Sequence, residues 1–333
     1  MSGHMGEHES LAALLAPNLI HACGDRLKAI RWFRSAWQAG GASTGYASYT
    51  FDGGRTVEAV IKVPVGPGEF RWTTSLSAYF RESARADAMP GPEVCTPWVL
   101  ACGTEVGGYD LAWLVIEKLP GAPLSAKLDQ HAVEDLLRSA ARWYLAAETV
   151  RPLTEAPEPA RDNWDKLVSD ARERVKTSGI AESQRWNEAL KTVQRGLARL
   201  VERWDGRPVN CWCHGDLHPG NAMRREGCVP GDGCVLIDLA LVHPGHWIED
   251  AVYLERLYWA KPELLCGVKP VSVIAKHLRE AGRIGNEDYA GLANIRRCLM
   301  AATVPLYLEH EGHPKYVHAA LETLERVLPL LPK

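Results

Sequence analysis

The stretch His214-Gly-Asp-Leu-His-Pro-Gly-Asn221 sets a carboxylate, Asp216, five residues before an amide, Asn221, and the apolar run Val235-Leu-Ile237 ends in a second carboxylate, Asp238. An amide and a carboxylate are hard oxygen donors. They suit Mg²⁺, which keeps several waters and takes other positions from phosphate oxygens. Asp216 is then left for a different task, to aim a hydroxyl at phosphorus and accept its proton late in the transfer. Each residue alone has a plainer explanation. An Asp before Pro219-Gly220 can close a turn on its own backbone, and an Asp can simply end a strand. At this spacing the three together favour phosphoryl transfer, with Asp216 catalytic and Asn221 and Asp238 on the metal.

Groups so placed need elements to hold them. Strand-like runs fall at roughly 28–37, 46–51 and 56–63, with Asp52-Gly-Gly54 between the second and third as a hairpin turn. Residues 70–88 read as a helix stopped by Met89-Pro-Gly-Pro92, and two more strands are expected near 96–103 and 110–117. A short helix at 9–16 precedes them, ending at Pro17. After Leu119-Pro-Gly-Ala-Pro123 the apolar residues recur at helical spacing, over 131–149, 163–177, 184–204, 246–260, 270–282, 286–310 and 315–330. The pattern predicts an α+β chain with a β-rich part at 1–120 and a larger, mostly helical part at 121–333, within which the Asp216 loop falls. A cleft at the hinge is the expected ligand site.

Hydrophobic residues make up 46% and charged residues 24%, which argues against disorder, and a net charge of −3 leaves no nucleic-acid footprint. No apolar run approaches the ~18 residues of a membrane span. The N-terminus lacks a basic segment followed by an apolar one, so no signal peptide is expected; residues 1–8 include Gly3-His4-Met5, which has the look of a cloning remnant. Nine cysteines, an odd number in a chain of this size, favour reduced thiols and a cytoplasmic location. Cys211, Cys213, His214, Cys228 and Cys234 are zinc-type ligands, yet there is no C-x-x-C pair, and Cys211 and Cys213 flank Trp212 on a strand, so buried thiols are the favoured reading.

Lys62, in Val60-Ile-Lys-Val63 of the third strand, resembles by its position the protein-kinase lysine that contacts nucleotide phosphates, although a lysine on the polar side of an edge strand would look the same. Its partner should be an acid on the next helix. Glu82 is the choice, with Glu69 and Asp87 nearer that helix's ends. The glycine-rich loop 38–45 could cover phosphates with its amides, and Ser43 and Thr44 add hydroxyl donors. The backbone of Glu117 to Leu119, at the end of an apolar strand, is placed to bond a purine edge. Trp247, Tyr253, Tyr258 and Trp259 could cage a quaternary ammonium, though aromatics on a packed helix are more often core.

Taken together, these motifs resemble the aminoglycoside phosphotransferase and choline kinase family, whose fold is protein-kinase-like. The His214–Asn221 segment matches the H-x-D-x-x-x-x-N catalytic loop, and Ile237-Asp238 the metal-binding strand end. Gly41-Ala-Ser-Thr-Gly-Tyr46 resembles the nucleotide loop, Glu117-Lys-Leu-Pro-Gly121 the hinge, and Ile248-Glu-Asp-Ala-Val-Tyr253 the helix whose acid, here Asp250, braces the catalytic loop. The resemblance implies a bilobal chain: an N-terminal antiparallel sheet with one main helix, then a helical lobe. It implies Mg²⁺, ATP or GTP as co-substrate, and a small-molecule hydroxyl acceptor such as an aminoglycoside or other antibiotic. A choline-like amino alcohol or a sugar is the alternative acceptor. A catalytically idle nucleotide-binding protein is the alternative of another class. Where the family often has an aromatic after the metal Asp, this chain has Leu239-Ala-Leu-Val242.

Overall fold

The computed structural model describes residues 5–33, 42–82, 91, 93–284 and 288–331. In chain order its elements are α1 (Met5–Ala22), β1 (Leu27–Phe33), β2 (Ser43–Thr50), β3 (Thr56–Val63), α2 (Pro67–Glu82), β4 (Val99–Gly103), β5 (Trp113–Glu117), α3 (Gln130–Val150), α4 (Trp164–Thr177), α5 (Ser183–Asp205), β6 (Cys211–Cys213), β7 (Ala222–Met223), β8 (Val235–Leu236), β9 (His243–Gly245), α6 (Ile248–Leu257), α7 (Pro270–Glu280), α8 (Tyr289–Thr303), α9 (Leu308–Glu311) and α10 (Pro314–Val327). The expected α+β class is observed, with an antiparallel sheet in front and helices behind. The chain forms two compact units, Met1–Ala126 with Gly220–Val242, and Lys127–Pro219 with His243–Lys333.

In the first unit β1 to β5 form one antiparallel sheet in the order β1-β2-β3-β5-β4. Side chains alternate across a strand. Ala59, Ile61 and Val63 of β3 and Trp113 and Val115 of β5 therefore bury on one face, with Leu15 and Leu19 of α1 in the same cluster. Leu114 and Ile116 point the other way and pack with Val65, Val99 and Phe70, the last on α2. A Cβ at Gly45 would stand 3.0 Å from the Trp32 ring and 3.3 Å from the Arg31 carbonyl, so a side chain there would make its neighbours give way. Pro17 does not stop the first helix: α1 runs through it to Ala22. A proline sacrifices one backbone bond, but the helix continues because Leu19 and Cys23, beyond it, are buried in the sheet's core.

The second unit is helical, with one short strand pair. α3 carries buried side chains from Ala132 to Ala147 and is capped by Asp129, which accepts from the Ala132 amide at 2.8 Å. On α5, Trp186, Leu190, Val193, Leu197, Leu200 and Trp204 recur at three- and four-residue spacing and all are buried. β6 pairs antiparallel with β9, so that Cys213 faces His243 and Cys211 faces Gly245. Among the described residues no helix is long and apolar enough to cross a membrane.

Candidate active site

Strand alternation puts Lys62 on the face of β3 opposite Ile61 and Val63, in register with Thr44 of β2 and Leu114 of β5. α2 packs on that same face through Phe70. Lys62 Nζ is bonded and ion-paired to Glu69, and both side chains are largely buried, at 17% and 11% exposure. The expected partner, Glu82, is corrected by this pairing. It ends α2 exposed to solvent, and at ~1.5 Å rise per residue it lies about 20 Å along the helix from Glu69. Proximity to the helix end weighed against Glu69 in the sequence, yet the first turn is the part of α2 nearest the end of β3. Thr44 is buried and its hydroxyl donates to the Ala42 carbonyl at 3.3 Å; Ser43 is half-buried. Of the 38–45 loop, residues 38–41 lie outside the described residues.

Glu117 and Lys118 have spent their amides. Glu117 N donates to the Trp98 carbonyl at 2.8 Å and Lys118 N to the Glu58 carbonyl at 3.1 Å. The Leu119 amide has no such partner among the described residues. The Glu117 carboxylate is not aimed at a ligand. It takes Arg225 Nη2 at 2.6 Å and the Trp98 amide at 2.9 Å, with Arg225 6% and Glu117 4% exposed. The same guanidinium donates to the carbonyls of Val94 at 2.7 Å and Thr96 at 3.1 Å. This ion pair and the Leu236 amide on the Cys95 carbonyl, at 2.8 Å, anchor the 220–242 segment to the first unit.

Within that segment the Ile237 amide donates to the Asn221 carbonyl at 2.9 Å, and β7 pairs with β8. That pairing sets the residue after Ile237 next to the short ladder that follows Asn221. Asp238 is exposed, left-handed at φ 63, and its carboxylate has no bond or ion pair among the described residues. Left-handed backbone in a non-glycine residue costs about 1 kcal/mol or more and concentrates at functional sites. Although it ends a buried apolar strand, the Asp238 side chain faces water and so carries no burial cost.

In the second unit the backbone before Asp216 is held by one buried acid. Asp250, 1% exposed near the start of α6, accepts the His214 amide at 2.7 Å, the Gly215 amide at 2.9 Å and the Tyr144 hydroxyl at 3.0 Å. Gly215 turns there with φ 83, a conformation that a side chain would strain. His214 is fully buried, edge-on to Trp143 at 6.3 Å, and its Nδ1 accepts the Asp216 amide at 3.3 Å. The half-buried Asp216 carboxylate accepts the Tyr253 hydroxyl at 2.6 Å, and His218 Nε2 stands 3.4 Å from its other oxygen. Burial first, then the bond to Asp216, raises the Tyr253 pKa, so the phenol stays a donor. Sequence reading missed Tyr253 and His218 as partners of Asp216; His218, two residues on, was the available signal. Trp247 leaves the suggested aromatic cage, since it is 1% exposed and packs against Tyr289 at 5.7 Å, and Trp259 stacks on Tyr316 at 6.3 Å.

Several solved structures are similar to this chain in fold. A Ralstonia eutropha protein assigned to the aminoglycoside phosphotransferases superposes with a TM-score of 0.56 at 11% identity, over 96% of this chain and 99% of that one. The GDP complex of aminoglycoside 2'-phosphotransferase-IIIa gives 0.53 at 13% identity, over 96% and 98%. A spectinomycin phosphotransferase bound to ADP and spectinomycin gives 0.51 at 11% identity, over 96% and 96%. At such identities the likeness is one of fold, the protein-kinase-like one. No curated protein sequence matches the chain significantly. The sequence profile of the phosphotransferase enzyme family matches residues 41–291, most of the chain. The chain therefore belongs to the phosphotransferase enzyme family and is an enzyme of the class that uses an alcohol group as acceptor.

Proposed function

We infer that this chain transfers the γ-phosphoryl group of ATP or GTP to a hydroxyl of a small molecule. The observation that carries the reading is the pinned loop before Asp216: Asp250 fixes the amides of His214 and Gly215, and Tyr253 orients the Asp216 carboxylate. A half-buried carboxylate so held can direct an acceptor hydroxyl and receive its proton. Lys62, steered by Glu69, is the cation for the phosphates, with Thr44 in register beside it on the neighbouring strand, while Ser43, in register with Val63, lies on the sheet's other face. The backbone at Glu117 and Leu119 is assigned to the purine edge.

Asn221 and Asp238 are the residues that would hold Mg²⁺. Both offer oxygen, and the Asp238 carboxylate is exposed and unclaimed by other described residues, as a ligand for a hydrated hard cation should be. When bound, the ion neutralises charge on the phosphates. Asp238→Ala is expected to weaken Mg²⁺-dependent nucleotide binding while leaving the unfolding midpoint unchanged; calorimetric titration reads it, and an unaltered affinity would remove Asp238 from the metal site. Glu69→Gln is expected to weaken nucleotide binding about ten- to a hundredfold, the worth of a hydrogen bond to a charged group. Glu82→Gln should have no effect, and the reverse order would return the lysine's partner to the helix's far end.

The acceptor is taken to be an antibiotic of the kind bound in the spectinomycin complex, with choline-like amino alcohols and sugars as the other classes to test. The deciding experiment is a screen for released nucleoside diphosphate, with ATP and GTP in Mg²⁺, over aminoglycosides, other antibiotics, amino alcohols and sugars. Acceptor-dependent release is expected. Nucleotide binding with no transfer to any acceptor would support the idle nucleotide-binding protein instead.

A further inference from the structure

The geometry points to a second cation site, for zinc or a similar borderline-soft divalent ion, built by Cys213, His243 and Glu249 in the second unit. It does not rest on the phosphoryl-transfer reading. The β6–β9 register makes Cys213 and His243 direct partners, and Glu249 follows in the first turn of α6. A sulfur, a ring nitrogen and a carboxylate oxygen from these three lie within 4.8 Å of one another. His243 Nε2 and Glu249 Oε2 are 3.6 Å apart. Two ligands at ~2.0–2.2 Å from a tetrahedral zinc stand about 3.4 Å from each other. Cys211 Sγ is 3.7 Å from Cys213 Sγ, and two thiolates at ~2.3 Å from one zinc stand about 3.8 Å apart. Cys211 nevertheless falls outside the set of donors that all lie within 4.8 Å of one another, so water is the candidate for a fourth position.

The remaining contacts fit an oriented ligand set. Arg207 Nε and Nη2 each reach Glu249 Oε1 at 3.1 Å, and the His246 amide reaches the same oxygen at 2.9 Å. One carboxylate oxygen is thus held by donors while the other faces His243, the arrangement in which an outer shell aims a ligand. The His243 side chain is 43% exposed, which gives an ion a way in. Burial opposes the charge on Glu249, yet His243, Arg207 and Arg296 bring its pKa to about 2, so the carboxylate is ionised. Burial, then Cys211, keeps the Cys213 thiol protonated when no cation is present. Metal binding must therefore release a thiol proton and strengthen as pH rises. The absence of a C-x-x-C pair counted against zinc in the sequence, but these ligands come from three separate elements.

Cobalt(II) is the probe, because thiolate ligation gives it an intense charge-transfer band. The full chain is used with the exposed Cys102 and Cys266 replaced, as Cys102→Ser and Cys266→Ser, to silence surface thiols. One equivalent of cobalt is expected to bind with that band, zinc should displace it, and Cys213→Ser and His243→Ala should each abolish it. His243→Ala alters a partly exposed side chain, so it stays informative if Cys213→Ser does not fold. Absence of the band in the surface-serine protein, or a band that survives His243→Ala, overturns the site.

Discussion

Asp216→Asn is expected to lower phosphoryl transfer about 10²- to 10⁴-fold, the usual contribution of a positioned general base. The substitution keeps the size of the side chain and one oxygen for the Tyr253 hydroxyl, which lies 2.6 Å from the carboxylate. The amides of His214 and Gly215 stay on Asp250, so the loop has no reason to rearrange. What is lost is the proton acceptor, and with it the charge that draws an acceptor hydroxyl toward line. Nucleotide affinity should hold, because neither Lys62 nor Asp238 is altered. Initial rates of nucleoside diphosphate release with a transferring acceptor, beside a binding titration, separate these effects. A variant that keeps activity within about tenfold of the parent would remove Asp216 from the chemistry.

The second large effect concerns stability. Arg225→Met should destabilise the protein by about 3–5 kcal/mol, because it strands a buried acid. Glu117 is 4% exposed and would keep only the Trp98 amide, while the carbonyls of Val94 and Thr96 lose their guanidinium donor. Such a loss is a large share of the ~5–15 kcal/mol that holds a typical domain together. Lysine should not rescue it, since a single ammonium cannot replace a planar fork serving several acceptors at once. The double variant Arg225→Met, Glu117→Leu should recover most of the loss, because removing both charges leaves nothing buried and unpaired. Urea unfolding followed by tryptophan fluorescence measures all three. A loss below about 1 kcal/mol for Arg225→Met would show that water solvates Glu117.

Much of the fold could be read from local pattern. Strand-like runs marked β2, β3 and β5, and helical spacing marked α3, α4, α5 and α7 within one or two residues and α10 within three. Element ends were less legible where packing overruled a local signal, as at Pro17, where core burial of Leu19 carried the helix onward. The lysine's partner was misread for a related reason. A sequence marks which residues share a helix, but which turn of α2 meets β3 depends on the connection through Gly66 and on Phe70 packing under the sheet.

By itself the sequence determined the chemistry on offer: an acid, an amide and a second acid at a fixed spacing and a lysine on the third strand, while Asp250 as the brace of the loop came from the family resemblance. These were legible because the loop's short spacing fixes its groups covalently and strand alternation fixes the face of Lys62. The tertiary structure alone decided which distant side chains share a charge or a ligand. Glu69 with Lys62, Arg225 with Glu117, Tyr253 with Asp216, and Cys213 with His243 and Glu249 are partners across 7 to 108 residues of chain. No local pattern encodes such pairs, because their free energy comes from burial and register set by the whole fold.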